Sequence, residues 1–163
     1  MQLDAFNQLS TEQAQAAIAH CVAIPRWRQA VAAARPYAST AALIALAGEL
    51  AQEWDETDFA QALTAHPRIG ERAAGEEKEA ALSRREQAAV GEDATLRQAL
   101  REANQAYEQR FGHLFLIRAK GRSGEEMLAE LRRRLANTPD QERREALAQL
   151  REITLLRLEE SFA

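Results

Sequence analysis

Asp93-Ala94-Thr95-Leu96-Arg97-Gln98-Ala99-Leu100-Arg101-Glu102-Ala103-Asn104-Gln105-Ala106-Tyr107-Glu108-Gln109-Arg110 is the stretch whose reading decides the fold class. Leu96, Leu100, Ala103, Tyr107 and then Phe111 recur three or four residues apart, the spacing that turns one face of a helix toward a core. The spacing predicts a helix over 93–110, and Gly112 is placed to terminate it. Alanine, leucine, glutamate, arginine and glutamine dominate the chain around it, and all are strong helix formers.

Working outward toward the carboxyl terminus, His113-Leu114-Phe115-Leu116-Ile117 breaks the pattern. It is an apolar run flanked by glycines, too short for a helix and without β partners elsewhere, so a buried extended segment is expected. Its backbone groups must find partners, a ligand being one candidate, because buried unpaired amides are costly. Ser123 with Glu126 reads as a capping box opening a helix to Asn137. Thr138-Pro139-Asp140-Gln141 starts a final long helix to about Phe162.

Toward the amino terminus, Ser10 with Gln13 reads as a capping box opening a helix to about Val22. Pro25 suits the first position of a second helix, ending near Arg35 before Pro36. Ser39 or Thr40 caps a third, over 41–54, whose Leu43, Ile44, Leu46, Ala47 and Leu50 make a broad apolar face. Thr57 caps a short helix carrying Phe59 and Leu63, which stops at His66-Pro67. The region over 69–82, with Gly70, Gly75 and Glu76-Glu77-Lys78-Glu79, predicts a loop with one or two helical turns. The expected fold is all-α: a single compact helical domain of roughly eight helices over 1–163, without internal repeat or linker. Leu43, Leu46, Leu50, Leu100, Tyr107, Leu131, Leu147 and Leu150 are its expected core.

Composition narrows the function classes. The 163 residues are 46% hydrophobic and 28% charged, which suits a globular domain able to bury a core. The 21 Lys and Arg against 25 Asp and Glu leave a net charge of −4 with the signs interspersed, which argues against a nucleic-acid partner. Cys21 is the only cysteine, so no intramolecular disulfide is possible and a reducing compartment is expected. Its apolar helical surroundings point to a buried, inert thiol. With three histidines and no cysteine cluster, no metal site is expected. No signal peptide and no membrane span are recognisable, so a cytoplasmic protein is expected.

Three places hold residues that chemistry uses. His66 stands before Pro67, where the chain is pushed out of the α region. Ser83 with Glu86 reads as a capping box opening a helix, so an imidazole at a helix end faces a carboxylate at a helix start. The plain reading of both is helix punctuation; the functional one is a proton-transfer pair. Arg157 falls inside the apolar stripe Leu147, Leu150, Ile153, Thr154 and Leu158 of the last helix. A charge there needs an internal carboxylate, a path to solvent along its stem, or a substrate carboxylate or heterocycle matched to its planar donor fork.

Ala65-His66-Pro67, then Ser83-x-x-Glu86-Gln87, then Asn104-x-x-Tyr107-x-x-Arg110-Phe111-Gly112-x-x-Phe115, then Leu156-Arg157-Leu158 form a joint pattern. In order and spacing it resembles the 2-oxo-4-hydroxy-4-carboxy-5-ureidoimidazoline (OHCU) decarboxylases of uric-acid degradation. The resemblance implies an all-helical fold with its active site in a cleft, a homodimer, and no metal or organic cofactor. It implies decarboxylation of the unstable ureidoimidazoline to (S)-allantoin. It assigns catalysis to His66 and Glu86. It matches substrate-contacting positions to Pro67, to Ser83, Arg84, Arg85, Glu86 and Gln87, to Phe115, Leu116, Ile117, Arg118 and Ala119, and to Arg157.

The chain departs from the family's usual pattern in two places. It reads His66-Pro67-Arg68-Ile69 where many members have His-Pro-Asp-Leu, and Phe111-Gly112-His113-Leu114-Phe115 where many have Phe-Gly-x-Pro-Phe. The reactive positions survive, as in a bacterial branch, and the terminus lacks the peroxisomal Ser-Lys-Leu signal. Two other readings compete: another cofactor-free lyase or hydrolase acting on a cyclic ureide, and a non-enzymatic helical interaction module. The first predicts ring opening without loss of carbon dioxide. The second predicts that Arg157 pairs with an internal acid.

Overall fold

In the computed structural model the described residues are 1–66 and 93–163, and they form eight α-helices and no strand. These are α1 (Leu3–Gln8), α2 (Thr11–Ala17), α3 (Pro25–Ala33), α4 (Thr40–Ala51), α5 (Glu56–Leu63), α6 (Ala94–Phe111), α7 (Gly124–Arg134) and α8 (Pro139–Ser161). The all-α expectation holds for them. The loop expected over 69–82 and the helix expected from Ser83 lie outside the described residues. No helix among the described residues is long and apolar enough to cross a membrane.

The helix starts follow their side chains. Ser10 accepts from Gln13 N while Gln13 returns a bond to Ser10 N, and Ser123 and Glu126 do the same for α7. Thr138 and Gln141 exchange the equivalent pair ahead of α8. Each such cap is worth ~0.5–2 kcal/mol. At α5 the cap is Asp55 rather than the expected Thr57: its carboxylate accepts from Asp58 N, and Asp58 accepts from Asp55 N. Two acidic side chains three residues apart satisfy both orphan amides there, and Arg26 offsets the crowded charge by binding Asp58 at 2.5 Å.

Several helices end sooner than their apolar pattern. α2 stops at Ala17, not near Val22, where tighter i→i−3 bonds take over: Ile18 N donates to Gln15 O, Ala19 N to Ala16 O and Cys21 N to Ile18 O. Arg28 takes Ala19 O and Val22 O, while Arg157 reaches His20 O and Cys21 O. α7 ends at Arg134, not Asn137, where Arg110 binds Asn137 O at 2.6 Å. The short α1 was not expected from its sequence. It is held by tertiary contacts: Phe6 is fully buried edge-on to Phe162, and Arg35 binds Phe6 O and Leu9 O.

The described residues divide into two units, 1–64 with 151–163, and 65–150. In the first, α2 packs on α3 and α3 on α4, with Trp27 edge-on to Trp54 and bonded through Nε1 to Ala47 O at 3.0 Å. The buried stripe of α4 is Leu43, Ala47 and Ala51. Leu46 and Leu50, expected in the core, are half-buried at its edges. In the second unit α6 packs on α7 around Leu100, Tyr107, Phe115, Ile117, Met127 and Leu131. Fully burying side chains of this size contributes ~1.5–3 kcal/mol each.

Candidate active site

Segment 113–119 is turned into place by glycine. Gly112 caps α6 at φ 77°, a conformation that other L-residues adopt only at a steric cost. Beyond it Phe115, Leu116, Ile117 and Ala119 are buried, and Phe115, Ile117 and Ala119 join the core of the second unit. Tyr107 meets Phe115 edge-on at 5.2 Å and His113 at 5.5 Å. Of the run expected to be buried and non-helical, Phe115, Leu116 and Ile117 are buried while His113 and Leu114 are half-buried. Its backbone groups find protein partners, among them Leu114 O, which lies 3.0 Å from His113 Nδ1. Leu116 O accepts from Arg134 Nη1 at 2.8 Å, and Arg118 N donates to Gln149 Oε1 at 2.8 Å. Arg118 O accepts from Arg122 Nε at 2.9 Å, and Ala119 O from Arg122 N at 3.1 Å.

Arg134 belongs to a buried polar network that the sequence reading missed. Arg134 is 1% exposed and Glu142 fully buried. Arg134 donates through Nε to both Glu142 oxygens at 3.0 Å and through Nη2 to Oε2 at 2.5 Å. Tyr107 donates its hydroxyl to the same oxygen, and Asn137 Nδ2 donates to Glu142 Oε1 at 3.2 Å. Burial first, and the bond to Glu142 second, push the Tyr107 hydroxyl far above its ordinary pKa. The guanidinium carbon also lies 4.5 Å over the Phe115 ring. A signal was present in the sequence. Arg134 continues the buried Met127 and Leu131 stripe of α7, and Glu142 leads into Ala146 and Leu150 on α8, which is the anomaly that singled out Arg157.

Arg157 is 1% exposed, so its guanidinium does not reach solvent along its stem. Its Nη1 donates to His20 O at 3.3 Å and, at the limit of hydrogen bonding, to Cys21 O at 3.5 Å. Ser161 Oγ donates back to Arg157 O at 2.8 Å and lies 2.7 Å from His20 Nε2. Cys21 is fully buried, as expected of an inert thiol.

The expected site residues are distributed as follows. His66 is half-buried, three positions beyond the end of α5, and falls in the unit that holds segment 115–119. Arg157 falls in the other unit. Pro67, Ser83, Arg84, Arg85, Glu86 and Gln87 lie outside the described residues. Among the described residues no group of three or more His, Cys, Asp or Glu is arranged to hold a metal ion.

Comparison with known proteins bears on this arrangement. The profile of the OHCU decarboxylase family matches residues 7–159. The chain is 31% identical over 164 aligned residues to the 2-oxo-4-hydroxy-4-carboxy-5-ureidoimidazoline decarboxylase of Amia calva, covering 98% of this chain and 94% of that protein. It is 33% identical over 111 residues to the uric acid degradation bifunctional protein TTL of Arabidopsis thaliana, covering 66% of this chain and 34% of that protein. The chain thus spans about a third of the length of that bifunctional relative. Among solved structures it resembles an OHCU decarboxylase crystallised in the presence of (S)-allantoin, with TM-score 0.77, 27% identity, and coverage of 94% of this chain and 99% of that one. An (S)-allantoin synthase shares the fold, with TM-score 0.73 at 16% identity over 99% of this chain and 54% of that one. The chain belongs to the OHCU decarboxylase family.

Proposed function

We propose that the protein decarboxylates 2-oxo-4-hydroxy-4-carboxy-5-ureidoimidazoline to (S)-allantoin in uric-acid degradation, as a carboxy-lyase acting through one domain over 1–163. The observation that carries this reading is the family match over residues 7–159, which takes in every residue assigned a role here. Loss of carbon dioxide leaves an electron pair on the adjacent ring carbon, and the ring imine and carbonyl delocalise it. The protein must then deliver a proton to one face only. His66 is the proposed donor, since an imidazole's ordinary pKa of ~6.5 lies near working pH. Glu86 is proposed to orient that ring and to favour its protonated form, as a neighbouring carboxylate does.

Ser83 and Gln87 supply neutral hydrogen bonds to the ureido and ring amide groups in this reading. Arg157 presents a charged, planar donor fork, and segment 115–119 offers backbone groups from a buried wall. We also propose a homodimer located in the cytoplasm. The single buried thiol supports a reducing compartment, and the family resemblance supports the dimer.

The test is to generate the substrate freshly by enzymatic urate oxidation and hydroxyisourate hydrolysis, then follow circular dichroism and carbon dioxide with and without the protein. Rapid formation of chiral (S)-allantoin with stoichiometric carbon dioxide is expected. Ring opening without carbon dioxide would replace the reading with a hydrolase. His66→Ala and His66→Asn are expected to stay folded and lose ~10²–10⁴-fold in rate, the usual contribution of a general acid–base group. Near-normal rates in both would remove His66 from the mechanism.

A further inference from the structure

We propose that Arg134 and Gln149 are positioning residues for this reaction: they grip the backbone on the two sides of Ile117 and thereby set the shape of segment 115–119. The inference rests on the decarboxylase reading, in which that segment contacts substrate. In a helix or a sheet, neighbouring backbone fixes each carbonyl and amide. In segment 115–119 such a backbone bond is seen at the end, from Arg122 N to Ala119 O, and ahead of it side chains take over the task. Arg134 Nη1 holds Leu116 O at 2.8 Å, and Gln149 Oε1 holds Arg118 N at 2.8 Å. These two groups bracket Ile117, so both of its backbone dihedrals are constrained from outside the segment.

The Arg134 side of this clamp is itself rigid. Glu142 engages Nε and Nη2 of the same planar fork, leaving Nη1 aimed at Leu116. Glu142 is in turn held by Tyr107 and Asn137. The guanidinium also lies over the ring of Phe115, the residue that opens the segment. Stability alone is a poor explanation for burying this ion pair, since apolar replacements of similar volume are often as stable or more so. What the pair adds is direction. It selects one conformation of an irregular strand of chain, and a wall that contacts substrate needs a single shape to favour protonation of one face.

Three variants test the proposal: Gln149→Leu, Gln149→Glu and Arg134→Lys. Gln149 is half-buried, so water replaces its oxygen on Arg118 N and the fold survives. For Gln149→Leu, KM for the ureidoimidazoline and Kd for (S)-allantoin are expected to rise about three- to tenfold, the loss of one hydrogen bond's worth of ordering. The proportion of (S) product should fall, with the melting temperature little changed. Gln149→Glu keeps an acceptor for the amide and is expected to restore KM and stereoselectivity. Arg134→Lys keeps a cation beside Glu142 but cannot serve both partners in one plane, and should move the same readouts.

Folded Gln149→Leu with wild-type KM, Kd and stereoselectivity would overturn the proposal, whether or not Arg134→Lys folds. Failure of the unaltered protein to release carbon dioxide would instead overturn the decarboxylase reading on which it rests.

Discussion

Truncating Glu142 to alanine is the most severe single test of how the second unit is held together. The carboxylate is fully buried, and its main partner Arg134 is 1% exposed. Removing it leaves Arg134 with only the Leu116 carbonyl among the bonds described above, and deprives the Tyr107 hydroxyl of its acceptor. Breaking a buried pair from one side typically costs ~3–5 kcal/mol, because a charge stays buried without compensation. The orphaned hydroxyl adds ~1–3 kcal/mol, although the two losses share an environment and do not sum fully. Against a total stability of ~5–15 kcal/mol for an ordinary domain, this is a large share. For a chain of this length it corresponds to a fall in Tm of roughly 6–20 °C.

Thermal and urea unfolding followed by far-ultraviolet circular dichroism measure it, with an unchanged urea slope showing that two-state behaviour survives. The control is the triple substitution Tyr107→Phe, Arg134→Met and Glu142→Leu, which removes every charge at once. Its remaining penalties are the buried Leu116 carbonyl and the loss of the Glu142 acceptor for half-buried Asn137, so it should lie within ~1–3 kcal/mol of wild type. A Glu142→Ala protein that loses less than about 1 kcal/mol, or a triple variant that falls as far as Glu142→Ala, would refute the argument.

Other expectations follow from the same structure. Arg157→Met exchanges a buried cation for a long apolar chain at the cost of its long bonds to His20 O and Cys21 O, so Tm should fall only slightly while (S)-allantoin binding weakens by ~1.5–3 kcal/mol; normal binding with early melting would make Arg157 structural. The Arg26 guanidinium holds the Asp58 carboxyl below its ordinary pKa, so their stabilisation is present above the unfolded value of ~3.9 and is lost as pH falls through the folded one. Asp58→Asn keeps an acceptor for Asp55 N, and should cost a small amount of stability at neutral pH, since Arg26 is half exposed and water screens the pair. The difference should vanish in strong acid; a pH-independent cost would deny the ion pair a role. Tyr37 and Tyr107 are the only tyrosines; burial pushes the first up to about 12 and the second higher still. Ultraviolet titration should therefore find both un-ionised in the native protein at pH values where the urea-unfolded chain is already half-titrated, near ~10. Stability from both is present below that value and declines as pH rises through the folded ones. A native midpoint near ~10 would contradict their burial.

What could be read from the sequence divides along a physical line. The Ser10 and Ser123 capping boxes and the Leu96 to Phe111 face are local patterns, and each reappears in the structure. The end of α2 was not readable, because the turns that follow it have their carbonyls held by Arg28 and Arg157 from later in the chain. The capping of α5 by Asp55 was decided partly by Arg26 from another helix. Leu46 and Leu50 belong to the apolar face of α4, but the small Ala47 and Ala51 allow the closest approach and take the buried positions. At the candidate site, a charge inside an apolar stripe flagged Arg157, and the same rule applied to Arg134 and Glu142 would have found the network under segment 115–119. His66 and Glu86 rested on joint spacing with other motifs, since each alone is ordinary helix punctuation.

Cys21 turns the first unit into its own clock. It is the chain's one thiol, it is completely enclosed, and the carbonyl of its residue lies against Arg157. A disulfide reagent can reach it only when this region opens. The modification rate, divided by that of an exposed cysteine in a small peptide, therefore gives the free energy of that opening. A molecule that binds only the closed form lowers the rate in proportion to its occupancy. The native chain thus carries a built-in gauge of occupancy next to Arg157, readable without turnover and without an unstable substrate.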